Sequence, residues 1–103
     1  MVKKSIIDTA SRYVRQLPAD LIVSKAYLFG SCAQGSEKED SDIDIAIVIS
    51  NMMDFFDTQM LLMRLRRKID LRIEPHPIRE SDFTNLNPFA YEIQKTGIEI
   101  GIE

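Results

Sequence analysis

The segment at residues 42–49 reads DIDIAIVI and constrains the fold more than any other part of the sequence. Its first four residues alternate acid with isoleucine, the pattern of a β-strand whose side chains point to opposite faces in turn. The carboxylates of Asp42 and Asp44 are therefore expected on one face, with Ile43 and Ile45 on the other. Because the last four residues are apolar on both faces, the strand is predicted to be central in a sheet covered on both sides.

Apolar periodicity and turn residues divide the rest of the chain into helices and strands. The predicted elements are a helix at residues 6–17 stopped by Pro18, a strand at residues 21–29, a short helix opening at Ser31, a helix at residues 54–68, a strand at residues 69–74 ended by Pro75 and Pro77, a short helix at residues 89–95 capped by Gly97, and an apolar stretch at residues 98–102. This order predicts an α/β (α+β) fold, a small mixed β-sheet flanked by helices, in a single domain over residues 1–103.

Length, charge and cysteine content exclude several classes of protein. The 103 residues suit one domain with a modest core, and the net charge of −3 argues against direct binding of nucleic acid over a broad surface. The single cysteine, Cys32, cannot form an internal disulfide, which favours a reducing compartment. No apolar run is long enough to span a bilayer, and charged residues interrupt the N-terminal segment where a signal peptide would be apolar. We therefore expect a cytoplasmic protein with no membrane partner.

Asp42 and Asp44 are candidate metal ligands. Two carboxylates side by side at the start of a buried strand repel each other unless a cation neutralises them. Magnesium prefers oxygen ligands, and it commonly binds through a few carboxylates together with the phosphates of a substrate. The pair therefore indicates a Mg²⁺ site of the two-metal kind that promotes displacement at phosphorus.

Gly30 and Ser31 are candidate phosphate ligands. A glycine directly after a strand lets the backbone approach a phosphate closely, and a helix that starts there directs amide N–H groups at the anion. The hydroxyl of Ser31 can donate a further hydrogen bond. Gly35 allows the loop to turn back, which would bring Asp42 beside Ser31.

A third acid on the next strand would complete the site. Asp70 is the preferred candidate for a third metal ligand and general base, because it is predicted to lie at the same strand-start level as Asp42. Glu74 is the reserve candidate. Arg72 is predicted on the same face as Asp70, where a structural ion pair is the simplest role for it.

The sequence resembles the minimal nucleotidyltransferases, small members of the DNA-polymerase-β-like superfamily. The stretch LFGSCAQGSEKEDSDIDIAIVIS is similar to their signature G-S-x10-D-x-D, with Gly30, Ser31, Asp42 and Asp44 at the family's spacing. IDLRIEP resembles the later strand that carries the third carboxylate, which maps to Asp70, and YEIQKTGIEI resembles the family's C-terminal helix and strand.

The resemblance implies a Mg²⁺-dependent attack of an acceptor hydroxyl on the α-phosphorus of ATP or another nucleoside triphosphate, with pyrophosphate leaving. One departure bears on catalysis. Many relatives have an arginine before the second glycine of the loop, where this chain has Gln34. Loss of that cation would weaken any contact that it makes with the triphosphate.

The family also implies a protein partner. Stand-alone members act as antitoxins of helical HEPN-type toxins, in some cases by adding AMP to a tyrosine of the toxin. We therefore expect an adenylyltransferase-like antitoxin whose acceptor site is completed by another chain or by a second copy in a homo-oligomer. One alternative is a non-catalytic nucleotide-binding module that neutralises its partner by contact. Another is an aminoglycoside-like small-molecule nucleotidyltransferase, which would need a further domain to hold the drug.

Three other features are assigned structural roles. His76 lies between two prolines and is interpreted as a loop residue, since a metal site built on the only histidine would have no partner imidazole. Cys32 is interpreted as a small, half-buried side chain rather than a reactive thiol. The basic cluster at residues 64–68 is interpreted as a solvated helix end with a favourable dipole interaction rather than an RNA contact.

Overall fold

The computed structural model describes residues 2–35 and 41–102. The helices are α1 (Lys4–Arg15), α2 (Ser31–Gln34), α3 (Phe55–Leu65) and α4 (Pro88–Thr96), and the strands are β1 (Val23–Phe29), β2 (Ile43–Ile49), β3 (Ile73–Arg79) and β4 (Ile98–Ile100). One sheet has the strand order β3-β2-β1-β4, with β1 antiparallel to β2 and β4 and with β2 parallel to β3. The mixed sheet flanked by helices that the sequence predicts is confirmed.

One face of the central strand β2 forms the main core. Ile43, Ile45 and Ile47 are fully buried there, in one cluster with Tyr13 of α1 and Leu62 of α3. Burial of an isoleucine side chain contributes about 1.5–3 kcal/mol, so this row of side chains fixes which face of the strand points inward. The alternate residues, the two aspartates among them, must then point to the opposite face.

The opposite face of the sheet is covered in part by α4. Asn87 caps this helix, because its side-chain oxygen accepts hydrogen bonds from the amides of Phe89 and Ala90. Ile93 packs from the helix into a second, smaller cluster that includes Ala46 of β2. None of the helices within residues 2–35 and 41–102 has the length and apolar character needed to cross a bilayer.

The prediction that Pro75 and Pro77 end the third strand is wrong, because β3 runs through both prolines. A proline cannot donate a backbone hydrogen bond, and it is tolerated where the missing N–H would point away from the sheet. β3 is an edge strand, and side chains outside the sheet cap its outward carbonyls: the guanidinium of Arg66 donates to Ile73, and the amide of Gln59 donates to Pro75. The two prolines therefore occupy the free edge without breaking the ladder to β2.

A buried hydrogen bond joins α1 to α3. The hydroxyl of Tyr13, which is fully buried, donates to the carbonyl of Leu62 at 2.7 Å. That carbonyl is among the last four of α3, which lack complete partners within a helix. We expect Tyr13→Phe to lower the free energy of unfolding by about 1–2 kcal/mol, because the carbonyl is left buried without this donor. Urea denaturation at neutral pH measures the difference, and an unchanged midpoint would contradict the assigned hydrogen bond.

The same tyrosine gives the fold a dependence on alkaline pH. Burial raises the pKa of Tyr13 above its ordinary range, and the nearby charge of Arg66 offsets this only in part. The folded state therefore holds the phenolic proton more tightly than the unfolded state, so this contribution is complete below about pH 10 and is lost as the pH rises further. Denaturation curves from pH 8 to 11 should show a smaller alkaline loss for Tyr13→Phe than for the unaltered protein.

Candidate functional site

The turn between β1 and α2 places a glycine against the second aspartate of β2. Gly30 has φ +76°, in the left-handed region that favours glycine. A Cβ atom added at this position would lie 2.6 Å from Oδ2 of Asp44, closer than any real side chain could approach. The backbone of the Gly-Ser turn and the carboxylate of Asp44 are therefore in direct contact, as the predicted site requires.

Cys32 ties the other end of the same loop to the start of β2. Its thiol is buried and lies 3.3 Å from the carbonyl oxygen of Asp42, to which it can donate a hydrogen bond. The backbone amides of Ala33 and Gln34 both donate to the carbonyl of Gly30, which closes the single turn of α2. The structure thus brings the Gly30–Ser31 turn and Asp42 together, although residues 36–40 between them lie outside the described residues.

Glu74 is the carboxylate that the sheet places beside Asp44. The parallel pairing of β2 with β3 puts these two residues in register, and paired residues of neighbouring strands have their side chains on the same face. The side chain of Glu74 is partly exposed, and its Oε2 lies 3.8 Å from the guanidinium of Arg66. An exposed ion pair at this distance contributes little stability, so Glu74 can turn toward another cation at low cost.

Asp70 does not lie where the sequence analysis placed it. Strand β3 begins at Ile73, so Asp70 lies in the turn before the strand rather than at the start of the strand. Its carboxylate accepts hydrogen bonds from the backbone amide of Arg72 at 2.8 Å and from the guanidinium of Arg72 at 2.8 and 3.1 Å. These hydrogen bonds hold the pKa of Asp70 below its ordinary value. The expected structural ion pair is present, and it engages the carboxylate that had been preferred for the metal.

The interpretation of His76 as a loop residue is wrong. It lies on β3, two residues after Glu74 on the same face, and its Nε2 is 3.0 Å from Oδ1 of Asp44. Its position two residues after Glu74 would have placed both on one face if the strand had been predicted to continue through the prolines. The imidazole that contacts the candidate metal ligand Asp44 is therefore a site residue that the sequence pattern did not predict.

Aromatic rings surround His76 on this face of the sheet. Phe29, which precedes the glycine turn, packs edge-on against the imidazole at 5.0 Å between ring centroids, and Phe89 of α4 packs edge-on against Phe29 at 5.6 Å. On the outer side, His76 also lines an open pocket of about 300 Å³ between Phe55 and Phe89. The carboxylates thus have an apolar, ring-lined wall on the side of α4.

The carboxylates suit a hard divalent cation, although their side chains are not yet gathered around one. Within the described residues, no three His, Cys, Asp or Glu side chains converge closely enough to form a metal site as they stand. The fold nevertheless places near one another the carboxylate oxygens that Mg²⁺ prefers: Asp42 directly precedes β2, Asp44 is the second residue of β2, and Glu74 is in register with Asp44 on β3. The donor set fits the cation, which would draw the side chains together.

A mixed sheet that carries a Gly-Ser turn after one strand and paired aspartates at the start of the next defines the class of polymerase-β-type nucleotidyltransferases. The family model described as Polymerase beta, Nucleotidyltransferase matches residues 9–102, and the chain belongs to this family. The match covers β1 to β4 and therefore includes every strand that builds the candidate site.

Individual relatives agree with the family. A proposed protein adenylyltransferase of Methanocaldococcus jannaschii is 28% identical over 81 residues, which are 76% of this chain and 79% of the relative. The crystal structure of a proposed nucleotidyltransferase of Sulfolobus solfataricus superposes with a TM-score of 0.61 at 25% identity, over 76% of this chain and 70% of that chain. A toxin–antitoxin structure with AMP-PNP has a TM-score of 0.64 at 21% identity, over 92% of this chain and 72% of that chain, and shares the fold.

Proposed function

We propose that this nucleotidyltransferase transfers AMP from ATP, with Mg²⁺, to a hydroxyl group of a protein partner and acts as an antitoxin. The observation that carries the proposal is the contact between the Gly30 turn and Asp44, with Glu74 in register on the next strand. A phosphate held at the turn would lie directly beside the metal-binding carboxylates. The adenylyl group is favoured because the curated relative is a proposed protein adenylyltransferase.

The roles of the residues follow from their positions. Gly30 and Ser31 bind phosphate oxygens of the triphosphate, and Asp42 and Asp44 hold Mg²⁺. When bound, the cation polarises the α-phosphate and neutralises the charge that develops on it. The acceptor oxygen forms a bond to the α-phosphorus as the bond to pyrophosphate breaks, and the hydroxyl proton passes to a third carboxylate.

We assign the role of the third carboxylate to Glu74 rather than to Asp70. Glu74 lies beside Asp44 in the sheet, and its weak pairing with Arg66 leaves it able to turn toward a metal or a hydroxyl. Asp70 is held in the turn before the strand by the bidentate guanidinium of Arg72. To act on the substrate it would have to give up short, charge-assisted hydrogen bonds.

Conservative substitutions separate these two acids. We expect Glu74→Gln to reduce transfer by about 10²–10⁴-fold, the usual contribution of a general base, and Asp70→Asn to leave the rate within about threefold. Because the folded-state pKa of Asp70 is lowered, its ion pair stabilises the fold above about pH 4 and is lost as the pH falls through the folded-state value. Asp70→Asn should therefore reduce the loss of stability on acidification and leave the rate of transfer intact. A large loss of rate in Asp70→Asn, with little loss in Glu74→Gln, would instead assign the third carboxylate to Asp70.

The partner that we propose is a helical toxin of the HEPN type. The fold is shared with chains of toxin–antitoxin structures, among them a mutant of the MntA–HpeT pair with a TM-score of 0.62 at 19% identity over 92% of this chain and 72% of that chain. An acceptor presented by a second protein could also cover the open pocket beside His76, between Phe55 and Phe89.

The direct test is to mix the chain with the protein encoded beside it, Mg²⁺ and ATP labelled on the α-phosphate. We expect label on the partner, and mass spectrometry should locate an added AMP on a hydroxyl side chain. ATP labelled on the γ-phosphate is the control and should leave the partner unlabelled, because pyrophosphate leaves. Absence of α-label, with intact ATP and a folded partner, would contradict the catalytic proposal.

A binding module that neutralises its partner by contact is the second candidate. Gln34 favours it, because this uncharged side chain is exposed at the end of α2, at the position where the family resemblance implies an arginine. The double variant with Asp42→Asn and Asp44→Asn distinguishes the two functions. Full neutralisation of the partner by this variant would support the binding module, whereas loss of neutralisation would support catalysis.

A further inference from the structure

The imidazole of His76 makes a contact whose direction is fixed by chemistry. Its Nε2 is 3.0 Å from Oδ1 of Asp44, and an ionised carboxylate offers only acceptors. The ring therefore donates its Nε2 proton to Asp44. This hydrogen bond engages one of the two carboxylate oxygens and leaves the other available.

The second oxygen of the same carboxylate faces the glycine turn. Oδ2 of Asp44 lies 2.6 Å from the place where a Cβ atom of Gly30 would be. With Oδ1 held by His76 on one side and Oδ2 placed against Gly30 on the other, the plane of the carboxylate is set. The oxygen that remains available for a cation is the one beside the proposed phosphate site.

The position of His76 is itself restrained from several directions. Pro75 and Pro77 lock the backbone φ angles on both sides of it, so the segment has little freedom to shift. Phe29 packs edge-on against the ring at 5.0 Å, and Phe89 lies at 6.3 Å. A donor held this firmly can orient the acceptor rather than follow it.

We propose that His76 is a positioning residue that holds Asp44 so that Oδ2 is presented to a divalent cation at the Gly30–Ser31 turn. The inference rests on the proposed function, in which Asp44 binds the metal. Hydrogen-bonding partners of metal ligands typically change metal affinity by about 10–100-fold when they are removed. The role requires no contact between His76 and the metal.

Two polar substitutions that differ by one methylene group test the proposal. The amide of Gln in His76→Gln can place an N–H near the position of Nε2, whereas the shorter amide in His76→Asn cannot reach Asp44. Binding of Mn²⁺, measured by electron paramagnetic resonance without turnover, should weaken about 10–100-fold in His76→Asn and stay within about threefold in His76→Gln. Phe83→Leu is the matched control, because Phe83 packs against Tyr27 at 5.5 Å between ring centroids in the cluster on this face of the sheet and the variant keeps the His76 donor; it should bind Mn²⁺ as the unaltered chain does.

The rate of transfer gives a second readout. In His76→Asn the concentration of Mg²⁺ at half-maximal rate should rise by a factor similar to the loss in Mn²⁺ affinity, and in His76→Gln it should stay near that of the unaltered chain.

Three outcomes would contradict the role of His76 or the proposed function. If the Asn variant binds Mn²⁺ as tightly as the unaltered chain, or more tightly, the proposal is overturned, since the imidazole would then have no effect on metal binding or would compete with the metal for Asp44. Equal losses in the Asn and Gln variants would also overturn it, since ring packing would then be the cause. If the unaltered chain itself binds no Mn²⁺ in the presence of ATP, the proposed function fails; if it binds metal and transfers AMP while the Asn variant matches it, only the role of His76 fails.

Discussion

Asp44→Asn is expected to reduce nucleotidyl transfer by at least about 10³-fold while the protein stays folded. The carboxylate lies between the Gly30 turn and His76, so it is the acid with the closest contacts on both sides of the candidate site. A bound metal contributes several kcal/mol to stabilising charge in the transition state, and each 1.36 kcal/mol lost is a tenfold loss of rate. The asparagine side chain preserves the shape and can still accept from the imidazole, so packing should change little.

The measurement is the initial rate of label transfer from α-labelled ATP, together with a thermal melt. Asp8→Asn is a matched control, because Asp8 is an exposed acid on α1, which packs against the isoleucine face of the sheet. It should leave the rate unchanged for the same loss of one negative charge. A rate for Asp44→Asn within tenfold of the unaltered chain would remove Asp44 from the metal site.

Gly30→Ala should lower both the stability of the fold and the rate of transfer. The added Cβ would meet Oδ2 of Asp44 at 2.6 Å, and the φ angle of +76° is unfavourable for any L side chain. The strain costs about 1–2 kcal/mol of stability. Asp44 must also move, and a displacement of about 1 Å at a catalytic group can cost about 10²-fold in rate.

Urea denaturation and the rate of transfer measure the two consequences separately. Gly101→Ala is the control, because nothing lies within 4 Å of a Cβ added there and its φ is not in the left-handed region. A Gly30→Ala protein with lowered stability and an undiminished rate would show that the turn supports the fold and that the phosphate binds elsewhere.

The sequence predicts β2 well because two independent signals agree there. The alternation of acids with isoleucines predicts which side chains share a face of the strand, and the apolar residues at the end of the strand predict a central position in the sheet. In the structure Ile43 and Ile45 are buried, and β2 lies in the interior of the sheet. The Gly-Ser turn was equally readable, since a glycine between a strand and a helix has few other uses. The local sequence pattern is sufficient to predict β2 and the turn at Gly30, because burial alone determines the residue types of the strand and backbone geometry alone determines the glycine of the turn.

Strand β3 is harder to predict, because whether a strand tolerates proline depends on its position in the sheet. Pro75 and Pro77 end a central strand but are permitted on a free edge, and nothing local in the sequence shows that β3 is at the edge. The strand predicted at residues 69–74 therefore ended too early and left His76 in a loop. Its predicted start was also too early, because the alternation of residues 69–74 continues through the turn that precedes Ile73. The position of a strand at the edge of a sheet is a property of the tertiary structure.

The two edges of the sheet differ in what they offer to another polypeptide. Along β3, the outward positions at Pro75 and Pro77 have no amide hydrogen, and the outward carbonyl of Pro75 is already capped by Gln59. A strand of another chain would find no backbone hydrogen-bond donor at Pro75 or Pro77, which disfavours strand pairing along the edge that carries Glu74 and His76. β4 has no such proline within the described residues. Among the described strands, β4 is thus the edge better suited to pairing with a strand of another chain, on the side of the sheet away from Glu74 and His76.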